Sequence, residues 1–517
     1  MRTIPLRPVA FAALALLTAC FDPTDAAGWA ERAASRNRLD EKLAALQQAR
    51  TAPGDRKAAV KPLTEVLRQA PRARAEAALI LGEIGDPAAV KPLLEAIDAS
   101  GKPERDVNDA NQKIATALGA LRAREAVGAL GKLTTSPDPF TQVAAIDALG
   151  AIGDPAGVEP LLAVVDAERG EPFAVKKALL ALGRIGDARA VPTVLRMLYV
   201  ERPGAIFFPE AAFAASQLGA PMSAPLAAVV EGKDAELSRW AATRGVHPAA
   251  LRAKAAQVLG DVGGPGAVPA LLAALDYTDA DAGAQLFVRV FAAESLGRLR
   301  AVPAVAPIGK LLAQARDPDA RDRYAEALAL IGDAAALAPL RAAATAGDLD
   351  ARQGPLDALS LLGGEAERGL VAAAAASCVA ICPATRKAAL DGMVARLDAA
   401  RACAGAVGCW AGKLGDATAG VRDRAALEVG RGGDASQAGP MVEALVRPVQ
   451  ADAEVAARYH AVLGLDWLSR RAPLGPRGAE LAAAIDKMVA ADKGRTLTAA
   501  VNEDALRLAG RLRRAAR

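Results

Sequence analysis

Aromatic residues and histidines are scarce in this sequence of 517 residues. Phe, Trp and Tyr make up 3% of the chain, and the histidines are His247 and His460 alone. β-Sheets draw on aromatic and β-branched side chains, so a chain that is 52% hydrophobic with few aromatics favours close-packed helices. Neither histidine lies near a free cysteine or a Gly-x-Ser-x-Gly turn, so no hydrolase motif is present. We expect an all-α protein that is not an enzyme.

A strong net charge and the common ligand-binding motifs are also missing. The formal net charge is +4, which is too even a balance to indicate a nucleic-acid groove. The sequence has no Gly-rich loop with Lys-Ser/Thr, no His-Glu-x-x-His and no EF-hand loop. We therefore expect no nucleic-acid partner, no small-molecule cofactor and no metal site.

The N-terminal segment has the pattern of a bacterial lipoprotein signal. Arg2 and Arg7 precede an apolar run over residues 9–17, which is too short to span a bilayer as a stable helix. The following Leu-Thr-Ala-Cys sequence, ending at Cys20, resembles a lipobox. The resemblance implies cleavage after residue 19 and acyl chains on Cys20 that hold the protein at a membrane. An ordinary cleaved signal with an unmodified cysteine is the alternative.

The position of Phe21 bears on which membrane holds the anchor. In some bacteria an Asp directly after the lipidated cysteine is associated with retention in the inner membrane, and this chain has Phe21 there, followed by Asp22. We expect a protein that faces the periplasm or the cell exterior, with the outer membrane favoured over the inner membrane.

A recurring phrase organises the rest of the chain. The motif is Ala-Leu-Gly-x-Ile-Gly-Asp, followed by Val and then by Pro-Leu-Leu. It occurs with small variations at residues 80–94 and 148–162, and parts of it recur near Gly186, Gly332 and Gly433. A period in the thirties with two helical stretches per unit predicts an α-solenoid. The glycines that mark strong and weak copies are spaced by 31 to 41 residues: Gly82, Gly119, Gly150, Gly183, Gly219, Gly260 and Gly297.

Each residue type in the phrase has a local role. Gly85 can take the left-handed conformation that ends a helix, and Asp86 can cap the next turn through its carboxylate. Pro92 is suited to the start of the following helix, where its missing N–H costs little. Small Ala and Gly residues let neighbouring helices approach closely. The sequence thus encodes each chain reversal locally.

The phrase resembles the HEAT and HEAT-like repeats, in particular the subgroup named after phycobilisome lyases. The resemblance covers about residues 55–447 and implies an α-solenoid of tandem helix-turn-helix repeats. We place these repeats at residues 39–450, after a signal peptide at 1–19 and a lipidated tether at 20–38. We expect the helices of residues 451–517 to cap the last repeat.

Four cysteines remain after Cys20, and an oxidising compartment makes disulfides their expected state. Cys378 and Cys382 precede a helix predicted at about residues 384–398, and Cys403 and Cys409 follow it. Fifteen helical residues separate the two pairs by roughly 22 Å, whereas the Cα atoms of a bridged pair lie within about 7 Å. We predict the bridges Cys378–Cys382 and Cys403–Cys409. A four-cysteine zinc site is the alternative, and the same separation disfavours it.

The connections within repeats are predicted to be long in the N-terminal two-thirds of the chain, at about residues 98–111, 166–172, 201–205, 231–248 and 276–284. Eight of the seventeen aromatic residues lie between positions 199 and 291. Since insertions in a solenoid line one edge and aromatic anchors are typical of interface centres, we predict a partner-binding rim. Its residues would be Tyr199, Phe207, Phe208, Trp240 and Tyr277. The alternative is that the aromatic side chains are packing, above all Phe213, Phe287 and Phe291 inside helices.

These features together predict a membrane-anchored, extracytoplasmic lipoprotein that is a non-catalytic protein-binding scaffold or adaptor in the cell envelope. Its partners would be other envelope proteins, bound by the rim or by the concave face, and the membrane, bound through the lipid on Cys20. A structural subunit of an envelope complex is the first alternative. A lyase-like enzyme that acts on a protein-bound cofactor is the second, and lipidation of Cys20 would exclude it because that chemistry is cytosolic.

Overall fold

The computed structural model describes residues 24–98, 104–166, 170–378 and 382–516, and these residues are mostly helical. The chain divides into two compact units, unit 1 up to Ala190 and unit 2 from Val191. The predicted class, an all-α solenoid of tandem helix pairs, is confirmed. The signal peptide, Cys20 and Phe21 lie outside the described residues. Across the described ranges, no helix has both the length and the apolar character needed to cross a membrane.

Unit 1 alternates long and short helices. A short 3₁₀ turn precedes most of the short helices, so the chain reverses direction twice in each repeat. Its described α-helices are α1 (Ala26–Ser35), α2 (Leu39–Thr51), α3 (Val60–Val66), α4 (Pro71–Ile84), α5 (Val90–Glu95), α6 (Arg105–Ala120), α7 (Val127–Leu133), α8 (Pro139–Ile152), α9 (Val158–Asp166) and α10 (Pro172–Ile185).

Unit 2 continues the alternation and adds a two-stranded antiparallel hairpin, β1 (Glu201–Arg202) and β2 (Ala205–Ile206). Its described α-helices are α11 (Val191–Met197), α12 (Phe208–Leu218), α13 (Ala220–Glu231), α14 (Ala235–Ala242), α15 (Pro248–Val262), α16 (Ala267–Leu275), α17 (Ala282–Arg298), α18 (Val305–Gln314), α19 (Pro318–Ile331), α20 (Leu337–Thr345), α21 (Leu349–Leu362), α22 (Glu365–Ser377), α23 (Ala384–Cys403), α24 (Val407–Lys413), α25 (Ala419–Gly432), α26 (Ala438–Leu445), α27 (Asp452–Arg471), α28 (Arg477–Ala491) and α29 (Ala499–Ala515).

The repeated phrase forms the predicted turn between helices. Gly85 has a φ of 75° and ends α4, because a left-handed residue closes a helix without a Cβ clash. The carboxylate of Asp86 then accepts the N–H of Ala88 at 2.9 Å and starts the 3₁₀ turn that leads into α5. Gly153 and Asp154 repeat this geometry after α8. Pro92 lies in the first turn of α5, as its lack of an N–H requires.

The long helices of successive repeats pack directly on one another, as α4–α6–α8–α10 in unit 1 and α13–α15–α17–α19–α21 in unit 2. Five of the marker glycines permit this approach, namely Gly82, Gly119, Gly150, Gly260 and Gly297, whereas Gly219 ends α12. A Cβ on Gly119 would stand 2.9 Å from the Cα of Ala148, and one on Gly150 would stand 2.9 Å from the Cα of Ala181. Each alanine precedes the next marker glycine by two residues, so one Ala-Leu-Gly phrase fits against the next. The long helices of successive repeats contact one another more extensively than the short helices do, and we call the surface that they form the inner face of each unit.

The prediction of a tether through residue 38 was wrong. Helix α1 packs against α2 and α3, and Ala26, Ala30 and Ala33 are buried. The carboxylate of Asp25 caps α1 by accepting the N–H of Gly28 at 2.8 Å. These alanines recur at i, i+4 and i+7, which is the spacing of a helix face that small side chains can bury. The described fold thus begins within six residues of Cys20.

The C-terminal helices do more than cap the last repeat. Helix α27 packs along α25 in the manner of the other long helices, with Gly464 against Gly430. Helix α29 packs on α28 and α27 and also on α12, near the start of unit 2. The side chain of Gln217 in α12 donates to the carbonyl of Arg507 at 2.9 Å, across 290 residues of sequence. Unit 2 therefore closes on itself.

Candidate functional site

Two of the five predicted rim aromatics are buried, so their assignment to a binding surface was wrong. Tyr199 is 3% exposed, its hydroxyl donates to the carbonyl of Leu251 at 3.3 Å, and burial raises its pKa. Phe207 is fully buried, with the guanidinium of Arg202 5.3 Å from its ring centroid. The two residues flank the hairpin β1–β2, and their side chains belong to the core, whereas the hairpin's own residues are mostly exposed.

The other three rim aromatics are half-buried, and each carries a cation over its ring. The distances from cation to ring centroid are 5.6 Å for Lys254 on Phe208, 4.5 Å for Arg244 on Trp240 and 5.1 Å for Arg252 on Tyr277. These aromatics belong to separate connections, and one of those connections contains helix α14. A role for Phe208, Trp240 and Tyr277 in partner binding stays a prediction.

The cysteines lie where the spacing predicted. The Cα atoms of Cys378 and Cys382 are 5.2 Å apart, those of Cys403 and Cys409 are 5.3 Å apart, and both pairs are at disulfide-bonding distance. Helix α23 separates the pairs, which disfavours the four-cysteine zinc site. Within the described ranges, His, Cys, Asp and Glu form no cluster suited to a metal ion.

An apolar groove of about 610 Å³ opens on the inner face of unit 1. Phe140 on α8 and Phe173 on α10 line it and are 69% and 55% exposed. Each follows a proline at the start of its helix and precedes the marker glycine, Gly150 or Gly183, by ten residues. The two rings therefore occupy the same position in consecutive repeats, side by side on neighbouring helices.

The floor of this groove is built from small side chains, among them Ala144, Ala148 and Ala151 of α8. A charge pair beside the floor joins Asp147 to Lys177, whose Nζ lies 2.9 Å from the carboxylate and 5.6 Å from the ring centroid of Phe173. None of the lining side chains is a histidine or a cysteine. The groove can therefore take up apolar side chains, and it offers no evident nucleophile.

Carboxylates lie at the N-terminal ends of the three inner helices that line the groove, α6, α8 and α10. Those of Asp138 and Glu171 cap α8 and α10 by accepting the N–H groups of Thr141 and Ala174. The others precede or begin α6 and are exposed, and they form no ion pair within the described part of unit 1. We call this set the acidic edge: Glu104, Asp106, Asp109, Asp138 and Glu171.

Sequence reasoning missed Phe140 and Phe173 because it followed the density of aromatics along the chain. A signal was present in the sequence. An acidic residue, a proline and a phenylalanine stand at the same offset from the marker glycine in two consecutive repeats, whereas the two preceding repeats carry Arg72 and Asp109 at the phenylalanine position. A register alignment of the repeats would have placed both rings on the inner face.

Part of the inner face of unit 2 is covered by the chain's own helices. Asp261 of α15 lies 2.5 Å from Arg298 of α17 and 3.3 Å from Arg507 of α29. Burial raises the pKa of Asp261, but the neighbouring guanidinium groups outweigh burial and hold that pKa below its usual range. Helices α27 and α29 therefore cover the C-terminal ends of α15 and α17, whereas Phe287, near the start of α17, stays 47% exposed.

Donors from α25 and α27 also satisfy the carbonyl groups at the ends of several inner helices. Such carbonyls lack partners within their own helix, and the negative end of the helix dipole attracts cations. The indole N–H of Trp467 donates to the carbonyl of Arg298, at the end of α17, at 2.7 Å. Arginines serve the remaining ends: Arg470 bonds Asp261 O, Arg431 bonds Ala329 O, Arg424 bonds Ser360 O and Arg471 bonds Gly430 O.

A buried charge network lies on the inner helices nearby. His460 Nδ1 bonds the carboxylate of Asp423, which also receives Arg396 at 2.6 Å, and Glu326 lies 3.9 Å from His460 Nε2. Burial lowers the pKa of His460, but Asp423 and Glu326 outweigh burial and raise that pKa to about 9. The buried imidazole is therefore charged at neutral pH and has a structural role.

Comparisons with known families identify the repeat unit. The family described as HEAT repeats matches residues 104–174, and the family described as PBS lyase HEAT-like repeat matches residues 73–99, 251–277 and 288–314. The repeats are HEAT-like. The first match runs from α6 to the first turn of α10, so the residues that line the groove, between positions 112 and 173, lie within it. No curated protein matches the chain.

Solved structures are similar in fold alone. Importin beta in an ammonium sulfate condition is 14% identical, with a TM-score of 0.43 over 91% of this chain and 74% of the other. Kap121p bound to Pho4p is 10% identical, with a TM-score of 0.40 over 93% and 53%. Human deoxyhypusine hydroxylase in complex with glycerol is 23% identical, with a TM-score of 0.21 over 58% and 94%.

Proposed function

We propose that this chain is a non-catalytic protein-binding scaffold in the cell envelope, anchored to a membrane through lipidated Cys20, and that it binds partners in the groove of unit 1. The observation that carries the proposal is the pair of exposed rings, Phe140 and Phe173, on adjacent inner helices. Exposed apolar patches bordered by polar residues mark interaction sites, and aromatic side chains supply much of the binding energy at such sites.

The contrast between the two units supports the choice of site. Phe287 on α17 precedes its marker glycine by ten residues, as Phe140 and Phe173 do, and is 47% exposed. In unit 2, however, the charged groups further along the same inner helix are covered by α27 and α29. The corresponding part of unit 1 is an open groove of about 610 Å³.

The proposed anchor would hold unit 1 close to the bilayer. Five residues separate Cys20 from Ala26, the first residue of α1. Such a segment spans at most about 20 Å when extended. The lipobox-like sequence supports lipidation, and Phe21 favours the outer membrane. Labelling of cells with a palmitate analogue should mark the wild-type protein and not Cys20→Ala; equal labelling of both would refute the anchor.

The binding site can be tested by photo-crosslinking in cells. A photo-reactive phenylalanine analogue placed at position 140 or 173 should give a discrete protein adduct, and the same analogue at position 287 should not, although Phe287 is also exposed. Equal adducts from all three positions, or none from 140 and 173, would contradict the groove as the site. Co-purification of the adduct partner at fixed stoichiometry would favour a structural subunit over a transient adaptor.

A further inference from the structure

The chemistry of the groove and its edge restricts the kind of segment that fits. This step rests on the proposed function and identifies the occupant of the same site. The five carboxylates of the acidic edge stand at the N-terminal ends of α6, α8 and α10. Arg105 lies among them, and Arg72 lines a pocket with Arg105, Asp106 and Asp109, so five negative and two positive charges leave a local charge of about −3. Glu171 lines the groove together with Phe140 and Phe173, and Asp138 precedes Phe140 by two residues, so apolar and acidic surfaces adjoin.

The backbone of the occupant also has to satisfy its hydrogen bonds. An extended peptide adds to the edge of a sheet, and unit 1 has no strand in its described ranges. A helix satisfies its own backbone and can lay an apolar face on the groove. Unit 2 supplies an example, because α29 lies on its inner face with Leu508 and Leu512 buried and Arg507 paired with Asp261.

We propose that the groove of unit 1 binds an amphipathic helix of a partner protein, with its apolar side chains between Phe140 and Phe173 and its lysines or arginines against the acidic edge. Charge complementarity sets the orientation of this helix, and the small side chains of the groove floor let its apolar face approach. Oppositely charged surfaces also speed association and suppress wrong partners.

The test uses the full-length protein and two synthetic helices of equal length, one with leucines on one face and lysines elsewhere, the other with glutamates in place of the lysines. The lysine peptide should bind at least about tenfold more tightly than the glutamate peptide. Its affinity should fall as salt rises from about 50 to about 300 mM, because salt screens exposed charges. Equal binding of both peptides would overturn the inference.

Variants locate the binding. Phe140→Ala/Phe173→Ala and the triple variant Glu104→Gln/Asp106→Asn/Asp109→Asn should each weaken binding of the lysine peptide at least about tenfold. The matched variant Phe287→Ala should leave it unchanged, and circular dichroism should show that all variants are folded. Full affinity in both groove variants would overturn the inference, as would a dimer of the free protein that the phenylalanine variant abolishes.

The two proposals fail separately. If positions 140 and 173 crosslink a partner in cells while the lysine peptide does not bind, the basic helix is wrong and the groove remains the binding site. If neither crosslinking nor peptide binding occurs, the groove has no binding role.

Discussion

At the scale of single residues, the marker glycines are where helix propensity and packing conflict. Glycine destabilises a helix interior by about 1 kcal/mol relative to alanine, so it persists where a Cβ has no room. A Cβ on Gly150 would meet the backbone of Ala181 at 2.9 Å, whereas a Cβ on Gly128, in α7, would meet nothing within 4 Å. The sequence revealed the periodicity of these glycines but not which atom each one faces.

We predict opposite effects for the same substitution at these two glycines. Gly150→Ala should destabilise unit 1 by about 1–3 kcal/mol, because backbones in contact have to separate. Gly128→Ala should be neutral or stabilise by up to about 1 kcal/mol. Urea unfolding measures both changes. A stabilised Gly150→Ala protein would show that the helix contact is looser than described.

The buried imidazole of His460 makes stability depend on pH. Its pKa is about 9 in the folded protein, against an ordinary value of 6.5 for an unperturbed histidine, so the charged form is favoured by folding. The stabilisation is complete below about pH 6.5 and is lost as pH rises through about 9, by up to about 3 kcal/mol. Urea unfolding at about pH 6 and about pH 9.5 should show this loss in the wild type and a smaller loss in His460→Gln. The same loss in both proteins would assign it to other groups.

At the scale of elements, the sequence predicted the turns better than the faces of the helices. Glycine, aspartate and proline encode each reversal through local geometry, so the helix ends between repeats follow from the sequence. The hairpin β1–β2 and the helix α14 were not foreseen, because both lie in segments that the repeat pattern predicts only as long connections. The rim assignment failed for Tyr199 and Phe207 because their burial depends on tertiary packing, whereas the offset of Phe140 and Phe173 from the marker glycines is visible in the sequence.

At the C-terminal end of α17, the carbonyl of Arg298 accepts a hydrogen bond from the indole N–H of Trp467. The sequence alone does not predict this contact. We predict that Trp467→Phe lowers the stability of unit 2 by about 1–3 kcal/mol, because the ring still packs while a carbonyl loses its donor. Trp240→Phe, on a half-buried ring, is the matched control and should change stability little. Similar losses in both variants would mean that packing of the indole, rather than its hydrogen bond, matters.

The cysteine pairs at the two ends of α23 are predicted to be bridged. Peptide mapping without reduction should find Cys378–Cys382 and Cys403–Cys409. Such short loops constrain the unfolded chain modestly, so Cys403→Ser/Cys409→Ser should cost about 2 kcal/mol. A crossed linkage, or four free thiols after native purification, would contradict the prediction.

At the scale of the whole molecule, the division into two units could not be read from the sequence. The repeated sequence occurs in both units, and its period does not predict that α29 packs on α12. That return depends on side chains distant in sequence, such as Gln217 and Arg507. The repeat class was predictable because it is periodic, whereas the closure is a single, non-repeated event.

Removal of α29 should affect the two units differently. A chain that ends at residue 498 loses the pair between Asp261 and Arg507 and exposes α12 and α15 to solvent. We expect hydrogen exchange to accelerate in α12 and α15 and to stay unchanged in α4, α6 and α8. Faster exchange throughout unit 1 would show that the two units are coupled in stability.

The closure of unit 2 also bears on how such chains can change length. From α4 to α10 in unit 1, each junction places the marker glycine of one long helix against the corresponding alanine of the next. Duplication or loss of one such repeat therefore regenerates the same junction and leaves both sides intact. In unit 2 the contact between α12 and α29 requires a fixed number of repeats between them. With one repeat more or fewer, α29 would no longer lie against α12. Over evolutionary time, unit 1 is free to lengthen or shorten, while unit 2 tolerates substitution but not the gain or loss of a repeat.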